Sequence, residues 1–348
     1  MQINKLTRFL YVLLLITLLL FLSFFAVNSR NNNTLDNLTI EINKMLETSN
    51  NRSKIDFLKS FIIEKLKQNG INESNAKNYL NYDIINFNPQ IIALNLGFID
   101  NKINIKKLKS VLLTSSSKIS SDFIKKYSPF IKKVSIQYKI PEEIILSILW
   151  VETRFGENLG NHSVLNVYFN LSLLQHPVIL KELTLWFKDK YRIQNYLAFQ
   201  KKAILKSQWG FKELISLISI SVKYNINIKS LYGSYAGAFG ICQFIPSSYL
   251  AYAKDGDEDG IIDLFNAKDA IVSTANYLSR MGWTQFQHSQ HRAILSYNNS
   301  TPYLTKVIDN SARLRQNTLP FSNLPVPKNI SEIKKISDKL IKLNNNLY

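Results

Sequence analysis

The sequence predicts a mainly α-helical protein with little β-structure. Three observations lead there. Apolar residues recur at helical spacing along most of the chain, as in Phe57, Phe61, Ile62 and Leu66. No alternating strand pattern of useful length appears, and there is no internal repeat. Pro141-Glu142-Glu143 is a strong helix start, with proline in the first turn and acids on the positive end of the helix dipole.

In chain order, residues 28–51 are polar and Asn-rich and read as a linker. The helix carrying Phe57 stops at Asn69-Gly70. Short helices follow over Ile91–Leu96 and Ile103–Leu113, Ser115–Ser117 reads as a break, and Phe123–Tyr138 resumes with Pro129 as an interruption. Ile144–Phe155 is the next helix, then Leu173–Phe187, Tyr196–Lys206 and Phe211–Tyr224. A Gly-rich turn spans Gly233–Gly240, followed by helices at Ala267–Met281 and His291–Tyr297. Pro320, Pro325 and Pro327 mark a second linker before an amphipathic helix, Ile330–Leu343, capped by Asn329 with Glu332.

The 348 residues are 46% hydrophobic and 20% charged, a globular balance that excludes a disordered or collagen-like chain. Cys242 is the one cysteine, so an intramolecular disulfide and a multi-cysteine zinc site are excluded. Lys+Arg number 43 against 25 Asp+Glu, a net charge of +18 that favours an anionic partner. No basic run of nucleic-acid type is present, so no nucleic-acid partner is expected.

The N-terminus addresses the compartment. Lys5 and Arg8 precede an apolar run from Phe9 to Val27, broken only by Thr17 and Ser23. Its 19 residues make about 28 Å of helix, enough to cross a bilayer core. The positive flank keeps the N-terminus in the cytoplasm, so the remainder is expected to be exported, periplasmic or in the cell envelope. The segment reads as an uncleaved anchor in the inner membrane. Val27-Asn28-Ser29 offers a cleavage site as the alternative.

Two segments carry the chemistry. Ile144, Ile145, Leu146, Ile148, Leu149, Trp150 and Val151 make their helix apolar nearly all round, hence buried. Glu152 lies seven residues after Ile145 and four after Ile148, on the same face. Burial there raises a carboxyl pKa, which suits a general acid. An ion pair with an arginine would account for Glu152 equally well from the helix alone. In the second segment, Gly233 to Tyr249, three glycines fall within eight residues, and Ser234 and Gln243 supply groups suited to sugar hydroxyls and acetamido groups. No Gly-Lys-Ser/Thr follows, so it is not a phosphate loop.

These segments resemble the lytic murein transglycosylases, specifically the membrane-bound lytic murein transglycosylase B family. Val151-Glu152-Thr153-Arg154-Phe155-Gly156 resembles that family's catalytic-glutamate motif, and Gly233–Tyr249 its glycine-rich substrate loop. Ala275-Asn276-Tyr277 and Tyr297-Asn298 with Tyr303 resemble two further active-site motifs, in the right order. The resemblance is specific over 140–172 and 231–303 and weaker from about 55. It implies a lysozyme-like helical core with a helical N-terminal subdomain. The organisation expected is a signal or anchor segment over 1–29, a linker over 30–50 and the subdomain over 51–130. The core follows over 131–310, and a Pro-containing linker with a C-terminal helix over 311–348. The resemblance makes Glu152 the catalytic acid/base, puts Ser234, Gln243 and Asn298 against the sugar, and lines the groove with Tyr277, Tyr297 and Tyr303. Only a short stretch separates Trp283 from Tyr297, so the type member's inserted β-rich subdomain is not expected. The type member's paired arginines would fall near Val178-Ile179.

Asp255, Asp257 and Asp259 with Gly260 occupy positions 1, 3, 5 and 6 of a calcium-loop pattern, and Ile262 is the apolar residue at position 8. Ile261 would give a backbone carbonyl, and Asp263 a direct or water-mediated ligand. Asn266, at position 12, offers one oxygen where a bidentate acid is usual, so a weak, structural calcium is expected. The resemblance places a calcium loop here too. Cys242 lacks a locally placed histidine for thiol chemistry, and His162, His176, His288 and His291 show no metal-ligand spacing.

The resemblance implies cleavage of the N-acetylmuramic acid–N-acetylglucosamine bond of peptidoglycan with formation of a 1,6-anhydro end, using one carboxyl. Glu157 and Asp189 are the nearest acids to offer as a second. A lysozyme-like hydrolase and a non-catalytic peptidoglycan-binding scaffold are the alternatives. The expected partner is the glycan strand, with the protein acting as a monomer.

Overall fold

The computed structural model describes residues 52–98, 105–191 and 195–318, with the side chains of 52–54, 105–121, 189–191 and 316–318 excepted. The apolar run Phe9–Val27, the 30–50 linker and the helix expected at Ile330–Leu343 lie outside the described residues.

Twelve α-helices, a short 3-10 helix (Ile228–Ser230) and one two-stranded sheet are the elements of the described residues. Three short helices come first: α1 (Arg52–Gln68), α2 (Glu73–Leu80) and α3 (Pro89–Asn95). Asn72 caps α2 by accepting from Ser74 N, and Asn88 caps α3, where Pro89 takes the first turn. Then come α4 (Ile105–Tyr138), α5 (Glu142–Thr153), α6 (Val164–Leu173), α7 (Pro177–Tyr191) and α8 (Tyr196–Tyr224). The last four are α9 (Pro246–Tyr252), α10 (Ala267–Arg280), α11 (Gln287–Tyr297) and α12 (Thr301–Thr318). The antiparallel sheet joins β1 (His162–Ser163) to β2 (Tyr232–Gly233), pairing His162 with Gly233 and Ser163 with Tyr232.

The centre of the molecule is α6, all ten of whose residues are buried. It packs on α8 and α3, while α5 packs on α12 and α10. Two buried asparagines tie the first three helices to this centre. Asn166 and Asn170 accept from the backbone N–H groups of Asn86 and Asn88 at 3.0 and 2.6 Å, and donate back to Asn86. These bonds give partners to backbone groups between α2 and α3, where no helix or sheet ladder supplies them.

Some expected boundaries are corrected. The chain does not break at Ser115–Ser117 or at Pro129: α4 runs through both. Each serine costs only a few tenths of a kcal/mol in propensity, and the proline removes one backbone bond from a helix of 34 residues. Leu173–Phe187 is not one helix. Leu174 N–H, donating to Leu171 O and Ser172 O, closes α6, and α7 starts afresh at Pro177. Conversely, Tyr196–Lys206 and Phe211–Tyr224 are one helix, α8. Gly210 sits at its crossing with α6, where an added Cβ would lie 2.6 Å from Leu171 Cβ.

Candidate active site

Glu152 ends α5, and the turn after it is built to stop the helix there. Arg154 and Phe155 both adopt the left-handed region (φ 53° and 60°), followed by Gly156. Two successive non-glycine residues in that region cost of the order of 1–2 kcal/mol each. Neighbouring contacts hold them. Phe155 stacks on Phe123 at 4.3 Å, and Thr153 Oγ1 donates to Ile241 O at 2.7 Å while accepting from Gly156 N. Thr153 thereby fixes the end of α5 to the glycine-rich segment.

The carboxyl of Glu152 is desolvated, and this burial pushes its pKa up to about 7, against a smaller downward pull from Tyr303. Tyr303 Oη donates to Glu152 Oε1 at 2.5 Å. No second carboxylate among the described residues enters the electrostatics of Glu152. Glu157 is exposed on the turn beyond it. The ion-pair reading of Glu152 is therefore not what the geometry holds: its partner is a neutral phenol. Because the bond from Tyr303 favours the carboxylate, Tyr303→Phe is expected to raise the pKa of Glu152. The alkaline limb of the pH–rate profile should then move to higher pH. An unmoved limb, or one shifted toward acid, would contradict this assignment.

The three predicted tyrosines form a stack behind the acid. Tyr297 stacks on Tyr303 at 6.4 Å and meets Tyr277 edge-on at 4.8 Å. Tyr297 Oη donates to Cys242 O and Tyr277 Oη to Ser296 O, both at 2.6 Å. Tyr277 and Tyr303 are buried; the phenols of Tyr277 and Tyr297 are spent on backbone carbonyls, and that of Tyr303 on Glu152. Cys242 is fully buried and its thiol is pushed far up by burial, which makes it an inert packing residue.

The glycine-rich segment folds into two nested reversals, Gly233 bridging Phe239 and Phe239 bridging Phe244. Its glycines are filled by protein. A Cβ on Gly237 would lie 2.4 Å from the Tyr168 ring, and one on Gly240 2.5 Å from Leu264 Cβ, both at positive φ. Close approach to the protein's own core, and not to a ligand, is what these two positions require. Ser234 Oγ accepts from Ala238 N at 3.1 Å and braces the turn. Gln243 has a left-handed backbone (φ 51°), and its carboxamide donates to Leu159 O and Gly240 O, leaving its oxygen as an acceptor. Asn298 follows α11 in extended conformation and is exposed. Glu152, Tyr303, Tyr297 and the Cys242–Gln243 turn are thus linked through direct contacts. Ser234 is linked to them only through its loop. A cleft of about 690 Å³ lined by Tyr224, Phe239, Tyr249, Leu264 and Phe265 does not include Glu152.

The acidic loop lies behind this segment: Ile241 N donates to Leu264 O at 2.8 Å and Tyr249 Oη to Ile262 O at 2.7 Å. One oxygen each of Asp255, Asp257 and Asp269 lies within 4.8 Å of the others. Asp257 Oδ1 is buried without a hydrogen-bond partner. Burial raises the Asp269 carboxyl, and Asp257 and Asp255 raise it further. Three hard oxygen donors, an orphaned buried oxygen and mutual repulsion fit a divalent cation such as calcium. Asp269 escapes the loop pattern because it lies in the first turn of α10, past position 12. It also accepts from Gly256 N and Asp263 N at 2.7 and 2.6 Å. Asp259 and Asp263 accept from nearby backbone N–H groups, and Ile261 is exposed. Asn266 caps α10 through Lys268 N and donates to Asp257 Oδ2 at 2.6 Å.

A helical core with a desolvated glutamate at a helix end and a braced glycine-rich loop defines a lysozyme-like class of fold. The chain belongs to the Transglycosylase SLT domain family, whose profile matches residues 53–291. Over 163 residues it is 31% identical to membrane-bound lytic murein transglycosylase B of Escherichia coli, a stretch covering 47% of this chain and 37% of that protein. Among solved structures, Escherichia coli lytic transglycosylase Slt35 in complex with calcium has a TM-score of 0.57 at 20% identity. The match covers 74% of this chain and 93% of the other. Pseudomonas aeruginosa SltB3 in complex with NAG-NAM-pentapeptide has a TM-score of 0.57 at 17% identity, over 78% and 84%. These likenesses show the fold: mainly α, lysozyme-like, with little sheet.

Proposed function

We propose that this chain is a lytic transglycosylase that cleaves the β-1,4 bond between N-acetylmuramic acid and N-acetylglucosamine of peptidoglycan, leaving a 1,6-anhydro-muramic end. The observation that carries the reading is Glu152: desolvated, with a pKa near 7, bonded to Tyr303 and with no second carboxylate acting on it. A carboxyl at that pKa is half protonated at neutral pH, so it donates to the glycosidic oxygen and then, as carboxylate, accepts a proton. The proton it accepts comes from the 6-hydroxyl of the same sugar, whose oxygen closes on C1. The bond to the leaving sugar breaks first, the substrate's acetamido group or the surrounding amides and hydroxyls stabilise the positive sugar, and the C1–O6 bond then closes on the same face without water. Intramolecularity favours that closure. The Gln243 oxygen, Ser234 and Asn298 are assigned to sugar contacts, and Tyr277, Tyr297 and Tyr303 to the wall behind Glu152.

Residues 131–310 would be the catalytic core, with 51–130 bracing it through the Asn166 and Asn170 contacts. Among the described residues no helix is long and apolar enough to cross a membrane. The anchor over Phe9–Val27, and with it an envelope location, rests on the sequence and on the likeness to a protein named membrane-bound. Purified peptidoglycan sacculi test the activity: the chain should release soluble muropeptides. Binding without release would make it a scaffold.

Asp255, Asp257 and Asp269 are the residues that would hold calcium, supplying charge neutralisation and a stiffer support beneath the glycine-rich loop. Asp259, Ile261, Asp263 and Asn266 complete the loop around them. A ligand at 100 times its dissociation constant adds about 2.7 kcal/mol. Millimolar calcium should therefore raise the melting temperature and chelator lower it. A melting temperature indifferent to both would reject the site.

A further inference from the structure

Helices α7 and α8 expose a surface that the catalytic reading does not use. On α8, Leu197, Lys201, Ile204, Leu205 and Lys212 are all exposed. At about 100° per residue they fall within an arc of roughly 100°, one stripe of the helix. The three aliphatic side chains are 75, 41 and 57% exposed. Single exposed leucines are ordinary, whereas an aliphatic stripe interleaved with lysines marks an interaction surface. No acid occurs on α8 before Glu213, which is buried. The neighbouring helix α7, packed on α8, repeats the pattern with Lys181, Leu185 and Lys188 at exposed positions four and three apart.

We infer that this face of α7 and α8 docks on an anionic phospholipid bilayer, its aliphatic side chains entering the headgroup boundary while its lysines meet lipid phosphates. The composition is that of an interfacial amphipathic surface: apolar groups for the acyl boundary, lysines for the surface potential. Other occupants fit less well. The chain's own segment Ile330–Leu343 carries Lys334, Lys335, Lys339 and Lys342, and a second copy would set the lysine stripe against itself. Peptidoglycan is anionic but offers no apolar phase to three exposed aliphatics. Residues 28–51 span at most about 80 Å, so an anchor at Phe9–Val27 would leave this face within reach of the same bilayer.

The test uses the full chain with Leu205→Cys carrying an environment-sensitive thiol fluorophore. Cys242, fully buried, does not compete for the label. The control is a label at Phe286→Cys, equally exposed at 57%, in a stretch, residues 281–291, that contains no lysine. Vesicles contain brominated phosphatidylcholine, with or without brominated phosphatidylglycerol. At Leu205 quenching is expected to be at least ~2-fold greater in the mixed vesicles than at Phe286, and to fall to the control level with Lys201→Glu and Lys212→Glu together. Equal quenching at the two positions in chain that floats with the vesicles overturns the docking face. Quenching at Leu205 that is indifferent to phosphatidylglycerol overturns the assignment to anionic lipid. Protection of the label by sacculi but not by vesicles would reassign the face to peptidoglycan. Flotation with pure phosphatidylcholine reports the anchor separately.

Discussion

Glu152→Gln is expected to lower the rate of glycan cleavage by at least ~100-fold, because an amide neither donates the proton to the leaving oxygen nor accepts it back. The fold should survive, since glutamine matches glutamate in shape and can still accept from Tyr303. A second readout follows from the raised carboxyl. Its folded-state pKa of about 7 lies above the ordinary 4.5, so its contribution favours folding below about 4.5 and is lost as pH rises through 7. A neutral glutamine escapes that loss. Glu152→Gln should therefore be more stable than the parent at pH 8, with the difference closing toward pH 4.5. Near-parental activity would assign the acid to another residue. Equal stability at both pH values would contradict the desolvation of this carboxyl.

Arg315→Met is expected to destabilise the fold by about 3–5 kcal/mol, the cost of leaving a buried charge without its partner. Arg315 donates through Nε and Nη2 to Glu143 Oε1 at 3.0 and 2.9 Å, and the Glu143 side chain is only 6% exposed. The pair joins the end of α12 to the start of α5. At the other end of the same two helices, Tyr303 meets Glu152. The helices therefore run antiparallel, pinned by an ion pair at one end and by the catalytic hydrogen bond at the other. Replacing both partners, Arg315→Met with Glu143→Met, should recover most of the loss, because an apolar pair leaves no buried charge unmatched. Denaturant unfolding of Arg315→Met, of Glu143→Met and of the double variant checks this. A single variant as stable as the parent would show that the pair is solvated and inessential.

What was legible in the sequence was local. Glu152 is conspicuous because its helix is apolar all round, but the helix alone suits an ion pair as well, and the resemblance is what makes it the acid. The acidic loop could be placed because its ligands follow one another. Tyr303 was reached through motif order, though its bond to Glu152 spans 151 positions and no spacing rule gives it. The parts that escaped depend on contacts distant in sequence. Helix α6 is buried on every side, so it has no amphipathic period to betray its ends. The continuity of α8 depends on Gly210 meeting Leu171, which turns an apparent helix breaker into a crossing point. Asp269 looks like any acid in a first helical turn until the fold sets it beside Asp255 and Asp257. Glu143 likewise looks like a dipole-favouring acid, and only the return of α12 supplies Arg315.

The central claim is that one carboxyl cleaves the strand without water, and the product decides it. A hydrolase with two carboxyl groups would hold them roughly 5–9.5 Å apart and bring in a water molecule. Sacculi digested in water enriched in heavy oxygen, followed by mass analysis of the soluble fragments, separate the two routes. Ring closure predicts unlabelled anhydro-muropeptides, lighter than the hydrolysed fragments by one water. Predominantly labelled fragments with reducing ends would contradict it and would require a second group to activate water beside Glu152.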